Sequence, residues 1–279
     1  MGLDHTKIRL AAVALFLPVA FGQAPKGPIN RPPDPRVQQK TYHFQDTNED
    51  LPYAVYVSSK VTKDKKSPLI IALHGLGGDQ NSLMRGNTVD LAEEGGYILV
   101  GPMGYNPRGW YGTPVGQPRG DGKGKAKGNA PPNNDPPNLR ELSEKDVMNV
   151  LGIIRKEFNV DDNRTYLMGH SMGGAGTLYL GSKYASNWAA IGAIAPAAFA
   201  MLPDAKDLLT PIKDTVPVIV TQGGADTAVP VDYTRRWIQN MNELMMNFRY
   251  VELGREDHGT IIGMGMPDIY KFFSEHSKR

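Results

Sequence analysis

The sequence predicts an α/β fold with a mostly parallel central sheet flanked by helices. Five short runs are almost wholly apolar, as expected for strands that a parallel sheet buries on both faces. Most of these runs are followed by a loop and then by a helical pattern, and this alternation is typical of β-α-β units. The five runs are residues 69–73, 97–100, 165–168, 191–195 and 216–220.

An antiparallel strand pair is predicted before the parallel strands. Residues 42–44 and 53–57 are rich in aromatic and β-branched side chains, and a polar turn at 46–50 separates them. In the second segment Tyr53, Val55 and Val57 recur at every other position, which is the period of a strand. We therefore expect a hairpin at the beginning of the sheet.

Helical patterns lie between and after the apolar runs. Ser143 and Asp146 predict a helix start, because Ser143 can cap the first turn and Asp146 suits its positive end. Further helices are predicted at 175–184, 232–247 and 269–276. The core positions expected in the first helix are Val147, Val150, Leu151 and Ile154, and those in the helix at 232–247 are Trp237, Met241 and Met245.

One long segment has no apolar periodicity. Residues 101–138 are rich in glycine, proline and asparagine and carry a basic run. A loop of this length inside a domain is either functional or disordered, so we expect a loop insertion here. The alternation of strands and helices resumes after it, which favours one folded domain at 40–279.

Composition and charge exclude several classes of protein. The chain has 279 residues, of which 40% are hydrophobic, and its net charge of +2 is too small to indicate a nucleic acid or an anionic membrane surface as partner. The absence of cysteine excludes disulfide scaffolds, thiol nucleophiles and cysteine-ligated zinc. We expect neither a metal nor a cofactor, and the oligomeric state stays open.

Residues 1–22 have the composition of a cleaved signal peptide. Lys7 and Arg9 precede an apolar stretch, and Ala20 and Gly22 are small residues of the kind that a signal peptidase reads. The stretch at 10–21 has twelve residues, fewer than the roughly 20 that span a bilayer. We expect a secreted or periplasmic protein without stable membrane insertion, with a retained anchor as the alternative. Five prolines then predict an extended linker at 23–39.

A serine in a glycine-rich turn is the first candidate for chemistry. Ser171 lies in the sequence Gly169-His170-Ser171-Met172-Gly173, between the strand at 165–168 and the helix at 175–184. A sharp turn there exposes the serine, and side chains at Gly169 and Gly173 would collide across it. Ser171 is therefore a candidate nucleophile. The alternative is a glycine-rich turn that only supports the start of the helix.

A serine hydroxyl needs a base and a group that orients this base. His258 is the best of six histidines, because it lies in a loop directly after the strand-like residues 249–253. Asp226 follows the strand at 216–220, at the edge where parallel sheets place their sites. Asp257 and Glu256 are rivals for the orienting role, but they are too close to His258 in sequence to reach its ring easily. A solvated surface histidine is the alternative for His258, and His170 is expected to be a packing residue that points away.

The glycine-rich residues 74–78 are expected to supply an oxyanion hole. They follow the strand at 69–73, and their glycines allow backbone N–H groups to approach a substrate. We predict the N–H groups of Leu76 and Met172 as donors, with that of Gly75 as the close alternative. Each such donor is worth on the order of 3 kcal/mol in the transition state. His74 is expected to be a structural residue of this loop.

The order Ser171, Asp226, His258 is typical of one hydrolase superfamily. The sequence resembles the α/β-hydrolase superfamily over residues 42–274. Its segments 73–75, 143–147 and 166–174 resemble secreted bacterial esterases grouped with feruloyl esterases, acetyl xylan esterases and polyhydroxybutyrate depolymerases, and also prolyl-oligopeptidase-type catalytic domains. The resemblance implies an α/β-hydrolase catalytic domain at 40–279, with Ser171 as nucleophile, His258 as base and Asp226 as acid. The absence of cysteine and the long basic segment 101–138 depart from these relatives.

The function expected from this resemblance is a secreted serine ester hydrolase that forms an acyl-enzyme. Its substrate would be a small-molecule or polymer-linked ester, such as a feruloyl or acetyl ester of plant polysaccharide. Trp110 and Tyr111 are candidate substrate-binding residues, because aromatic faces can stack on an aryl group or a sugar. Alternatively, they attach their loop to the body. A prolyl-oligopeptidase-like peptidase, a polyester depolymerase and a binding protein on an inactive scaffold are the alternative functions.

Overall fold

Within residues 32–116 and 134–278, which the computed structural model describes, eight strands form one mixed sheet. The strands are β1 (Gln38–Phe44), β2 (Glu49–Val57), β3 (Ser67–Leu73), β4 (Ile98–Pro102), β5 (Val160–His170), β6 (Ala190–Ile194), β7 (Val218–Gly223) and β8 (Phe248–Leu253). Their order across the sheet is β1-β2-β4-β3-β5-β6-β7-β8. Strand β2 pairs antiparallel with β1 and β4, and the other neighbours are parallel.

The central strands confirm the predicted apolar runs. All seven residues of β3 are buried, because helices cover both faces of the sheet. Leu69, Ile71 and Leu73 face one core layer, whereas Ile70 and Ala72 face the other. This alternation is the two-residue period of a strand.

The predicted antiparallel pair is also confirmed. Tyr42 of β1 lies opposite Leu51 of β2. Strand β1 begins at Gln38, two residues before the predicted beginning of the domain at 40, and Val37 is already buried. The proline-rich stretch therefore ends earlier than expected.

Six α-helices cover the sheet in the described part of the chain. They are α1 (Asn87–Gly95), α2 (Leu139–Glu157), α3 (Met172–Lys183), α4 (Ala205–Leu209), α5 (Val231–Glu243) and α6 (Thr260–Ser274). Side chains of α2, α3, α4 and α5 belong to one core layer, and those of α1 and α6 to the other. Helices α1 and α4 were not predicted, because both are short and carry few periodic apolar residues.

Several predicted helix boundaries were wrong. Helix α2 begins at Leu139 and not at Ser143, which is fully buried inside the helix. Helix α6 begins at Thr260, well before the predicted 269. The prediction missed its first half because Pro267 and the neighbouring glycines have low helix propensity. Helix α5 ends at Glu243, and Met245 beyond it is 85% exposed instead of packed in the core. The remaining predicted core positions are buried: Val147, Val150, Leu151, Ile154, Trp237 and Met241.

Other predictions concern residues outside the described ones. The signal peptide at 1–22, most of the linker at 23–39 and residues 117–133 of the loop insertion are in this group. In the part of the chain that is described, no helix is both long and apolar enough to span a membrane.

The part of the loop insertion that is described before residue 117 is attached at the carboxyl edge of the sheet. Backbone N–H of Gly116 donates to the carbonyl of Ala200 at 3.0 Å, and that of Leu202 donates to Pro114 at 2.9 Å. These two bonds join the insertion to the loop that follows β6. The insertion thus borders the edge where the site residues converge.

A buried carboxylate joins three elements near this edge. Asp146, in the middle of α2, is fully buried. Its Oδ1 accepts from the Tyr42 hydroxyl at 2.6 Å, and its Oδ2 accepts from the N–H groups of Gly104 at 2.6 Å and Tyr105 at 3.2 Å. Burial raises the pKa of Asp146 to about 6. Asp146 therefore fixes β1 and the loop after β4 to α2.

Replacing Asp146 by alanine is expected to destabilise the fold. One buried and two partly buried donors would lose their acceptor, and we expect the free energy of unfolding to fall by about 3 kcal/mol. Urea unfolding of Asp146→Ala and of the exposed control Asp64→Ala measures this difference. The control should change by less than about 0.5 kcal/mol. Equal stability of the two variants would contradict the role of Asp146.

Candidate active site

The turn at Ser171 joins β5 directly to α3. Ser171 has φ 56° and ψ −114°, which is a strained conformation for a residue with a side chain. Three hydrogen bonds hold it: its N–H donates to Ile194 at 2.9 Å, and its carbonyl accepts from Ala175 at 3.0 Å and Ala197 at 2.9 Å. The serine is thus fixed at the carboxyl end of a central strand.

Two glycines make this turn possible. A Cβ placed on Gly169 would lie 2.3 Å from the carbonyl oxygen of Gly173. A Cβ placed on Gly173 would lie 2.3 Å from the carbonyl oxygen of Leu73. The predicted collision across the turn is confirmed for Gly169. At Gly173 the space is limited by the end of β3 instead, so α3 begins in direct contact with that strand.

His258 and Asp226 form the polar pair of the site. Nδ1 of His258 lies 2.7 Å from Oδ2 of Asp226. A carboxylate can only accept, so Nδ1 carries the proton and Nε2 of the neutral ring is left as an acceptor. The pair forms because β7 and β8 are parallel neighbours with Gly223 opposite Leu253, so the loops after them lie side by side.

The Asp226 carboxylate is fully buried and has several donors. Its Oδ1 accepts from the N–H groups of Ala228 at 2.9 Å and Val229 at 2.8 Å. Its Oδ2 also lies 3.2 Å from Nε2 of Gln222. Oε1 of Gln222 in turn accepts from the hydroxyl of Thr234 at 2.8 Å. These contacts fix the orientation of the carboxylate.

The sequence did not lead us to predict Gln222 and Thr234 as residues that support Asp226. Gln222 is a fully buried amide near the end of β7, after three apolar residues and Thr221. A polar residue in that position was a usable signal, because buried amides need partners. Thr234 gave no comparable signal, since its role depends on how α5 packs.

Asp257, the alternative candidate for the orienting acid, binds backbone N–H groups instead. Its Oδ1 accepts from the N–H groups of Gly259 at 2.9 Å and Thr260 at 2.8 Å. These backbone donors lower the pKa of Asp257. Asp257 therefore caps the beginning of α6. The backbone carbonyl of its neighbour Glu256 accepts from Ala225 at 3.0 Å and joins the two site loops.

The glycine-rich loop after β3 lies against the serine turn. A Cβ placed on Gly75 would be 3.3 Å from Cβ of Ser171. Leu76 is 60% exposed, and Met172 is the first residue of α3, where backbone N–H groups have no partner within the helix. The oxyanion-hole roles of Leu76, Met172 and Gly75 stay predictions.

His74 has the structural position that was expected. Its ring is buried, with Nδ1 at 2.8 Å from the carbonyl oxygen of Gly75 and Nε2 at 2.8 Å from that of Met103. Burial lowers the pKa of His74. A neutral ring has one N–H, so it donates to one of these two carbonyls, and it lies between the loops after β3 and β4.

The prediction that Tyr111 binds substrate was wrong. Tyr111 is fully buried, its hydroxyl donates to the carbonyl of His74 at 3.1 Å, and its N–H donates to the hydroxyl of Ser143 at 3.0 Å. The backbone of Tyr111 therefore attaches the loop insertion to α2, and its hydroxyl attaches it to the loop after β3. Trp110 is partly buried and borders a surface cavity of about 640 Å³ together with Leu76, so its substrate-binding role stays a prediction.

His170 does not point away from the site as expected. Its ring centroid lies 4.5 Å from that of His258, and the planes are tilted by 46°. The sequence could not show this contact, because it depends on where the loop after β8 turns.

Across the described residues, no group of three or more histidine and acidic side chains is arranged to hold a metal ion.

Comparison with known proteins gives a family and a fold. The family model named Esterase matches residues 45–202, which is more than half of the chain. No curated protein sequence matches the chain. One similar solved structure is a ferulic acid esterase from Anaeromyces mucronatus in complex with ferulic acid; it is 18% identical, the match covers 86% of this chain and 90% of that chain, and the TM-score is 0.65. Another is an S-formylglutathione hydrolase from Agrobacterium tumefaciens; it is 17% identical, the match covers 86% of this chain and 94% of that chain, and the TM-score is 0.61.

A thermostable esterase is a third similar structure, with 23% identity and a TM-score of 0.61. The match covers 87% of this chain but only 64% of that esterase chain. At these identities the structural likeness concerns the fold, and the activity class comes from the family. The chain belongs to the Esterase family and is a carboxylic ester hydrolase with the α/β-hydrolase fold.

Proposed function

We propose that this ester hydrolase acts through an acyl-enzyme on Ser171, with His258 as general base and Asp226 as the orienting acid. The observation that carries the proposal is the 2.7 Å contact between His258 and the buried Asp226 carboxylate. It leaves Nε2 of His258 free to accept a proton. The strained turn of Ser171 at the same edge of the sheet supports the role of nucleophile.

Acylation begins when the hydroxyl oxygen of Ser171 attacks the ester carbonyl carbon and Nε2 of His258 takes the hydroxyl proton. The oxyanion that forms accepts hydrogen bonds from the N–H groups of Leu76 and Met172. When the tetrahedral intermediate collapses, His258 returns the proton to the departing alcohol. Water then attacks the acyl-enzyme by the same steps and releases the acid.

Asp226 stabilises the imidazolium that His258 becomes in each half-reaction. Its side chain is fully buried, so its charge is poorly screened by water. The two backbone donors on Oδ1 hold the carboxylate, so it need not reorient as charge develops on the ring.

The substrate class that we propose is a feruloyl or acetyl ester of plant polysaccharide. Trp110 borders a surface cavity with Leu76, an exposed residue of the loop beside Ser171. An aromatic face there suits stacking on a phenolic acyl group or a sugar ring. The neighbour whose structure contains ferulic acid supports the same class.

We also propose that the protein is exported and that residues 1–22 are removed. The basic start, the short apolar stretch and the small residues at 20 and 22 support this. Edman sequencing of the protein recovered outside the cytoplasm should start at Gln23. A protein that keeps Met1 and stays with the cells contradicts export.

Ser171→Ala should abolish turnover of p-nitrophenyl acetate, with a loss of at least about 10⁴-fold in kcat. The fold should be unchanged, because alanine fits the space of serine. Labelling with a fluorophosphonate should be lost as well. The matched control is Ser186→Ala, an exposed serine that should keep full activity and labelling. Turnover retained by Ser171→Ala contradicts the proposed nucleophile.

Asp226→Asn should lower kcat by about 10³ to 10⁴-fold, because the amide favours the wrong tautomer of His258. Asp257→Asn is the matched control, since asparagine also caps helices well and this carboxylate does not contact the ring. We expect less than about a threefold change for the control. The opposite ranking in steady-state assays at pH 7 would make Asp257 the orienting acid.

The substrate class is tested with the protein lacking residues 1–22. Methyl ferulate and acetylated xylan should be hydrolysed faster than short polyhydroxybutyrate, and an aminoacyl anilide should not be cleaved. Product acids are measured by liquid chromatography, with Ser171→Ala as the blank. A preference for polyhydroxybutyrate or for the anilide contradicts the proposed class and favours a depolymerase or a peptidase.

A further inference from the structure

His170 makes an unexpected contact with the loop that carries the base. Its Nε2 lies 2.8 Å from the backbone carbonyl oxygen of His258. The carbonyl can only accept, so Nε2 of His170 carries a proton and donates it. The side chain of the residue directly before Ser171 is thus hydrogen-bonded to the backbone of His258.

The His170 ring is neutral. Burial, together with the nearby His258 ring, lowers the pKa of His170 to about 3. With Nε2 protonated, Nδ1 is an acceptor, and it faces Gly75 so closely that a Cβ there would lie 3.1 Å away. The ring therefore contacts the loop after β3 and the loop after β8 at once. A charged ring at this distance would oppose the imidazolium that forms on His258.

Strand pairing alone does not determine how far Ser171 and His258 are from each other. Ser171 follows β5 and His258 follows β8, and β6 and β7 lie between these two strands. At roughly 4.8 Å per strand, β5 and β8 are about 14 Å apart. The His258 side chain is 27% exposed, and its loop must cross this gap. Asp226 fixes the ring, and the bond from Ala225 to Glu256 fixes the loop two residues earlier. The side chain of His170, the residue before Ser171, adds a contact to the backbone of His258.

We propose that His170 is a positioning residue for the base. Its Nε2–H donates to the carbonyl of His258 and sets the position of that residue relative to Ser171, its own neighbour in the chain. This inference rests on the proposed function. It adds a residue that is not part of the predicted triad and that acts through the backbone of the base.

The proposal is tested with His170→Gln and His170→Met, which introduce side chains of similar length and shape. Glutamine can place an N–H near the position of Nε2, whereas methionine cannot. A displacement of about 1 Å in a catalytic group can cost 10²-fold in rate, so we expect kcat of the Met variant to fall by about 10- to 100-fold. KM should change by less than about twofold, and the Gln variant should keep kcat within about threefold.

A second readout follows the base directly. The Nδ1 proton of His258, bonded to Asp226, should give a low-field NMR signal in the wild type and in the Gln variant. In the Met variant this signal should broaden or disappear, while the melting temperature stays close to that of the Gln variant. If the Met variant does not fold, the Gln variant decides: a sharp signal and near-normal kcat support the proposal, and loss of either overturns it.

Two results overturn the proposal outright. One is wild-type kcat in the folded Met variant, and the other is an equal loss of kcat in both folded variants, since the hydrogen bond would then not matter. The Ser171→Ala variant distinguishes a failure of the His170 proposal from a failure of the proposed function. If that variant retains turnover, the acyl-enzyme itself is wrong, whereas a failure confined to the His170 variants leaves the acyl-enzyme standing.

Discussion

The backbone of Ser171 is held in a conformation that a serine would not adopt by itself, and the surrounding structure is arranged to keep it there. Such a conformation costs about 1–3 kcal/mol. Hydrogen bonds to Ile194 at the end of β6 and from Ala197 in the following loop offset this cost, and Gly173 packs directly on the end of β3. If either support were lost, the turn could relax and the hydroxyl would no longer be fixed at the edge of the sheet.

The other parts of the site are fixed by buried polar contacts and not by strand pairing. The His74 ring lies between the loops after β3 and β4, and Tyr111 attaches the loop insertion to His74. Asp146 holds the loop after β4 from the side of α2. Because each of these groups is buried with its partner, a change in one leaves another unsatisfied. The position of the loop after β3 thus depends on residues far from it in sequence.

The strands could be predicted because helices cover both faces of the central sheet, which makes β3 and its neighbours continuous apolar runs. Helix boundaries were harder. Ser143 has the chemistry of a cap, but it is buried within α2 and accepts a hydrogen bond from Tyr111. Pro267 disguised the first half of α6. In both cases tertiary packing outweighed the local preference of the residue.

The sequence by itself determined the α/β fold and the tight turn at Ser171, because apolar runs and glycine spacing are local properties. It also gave the order of Ser171, Asp226 and His258. Only the tertiary structure decided that Asp226 contacts His258 while Asp257 caps a helix, that Tyr111 is buried, and that the side chain of His170 contacts the backbone of His258. These contacts depend on the order of strands across the sheet and on the direction of each loop, which no local pattern encodes.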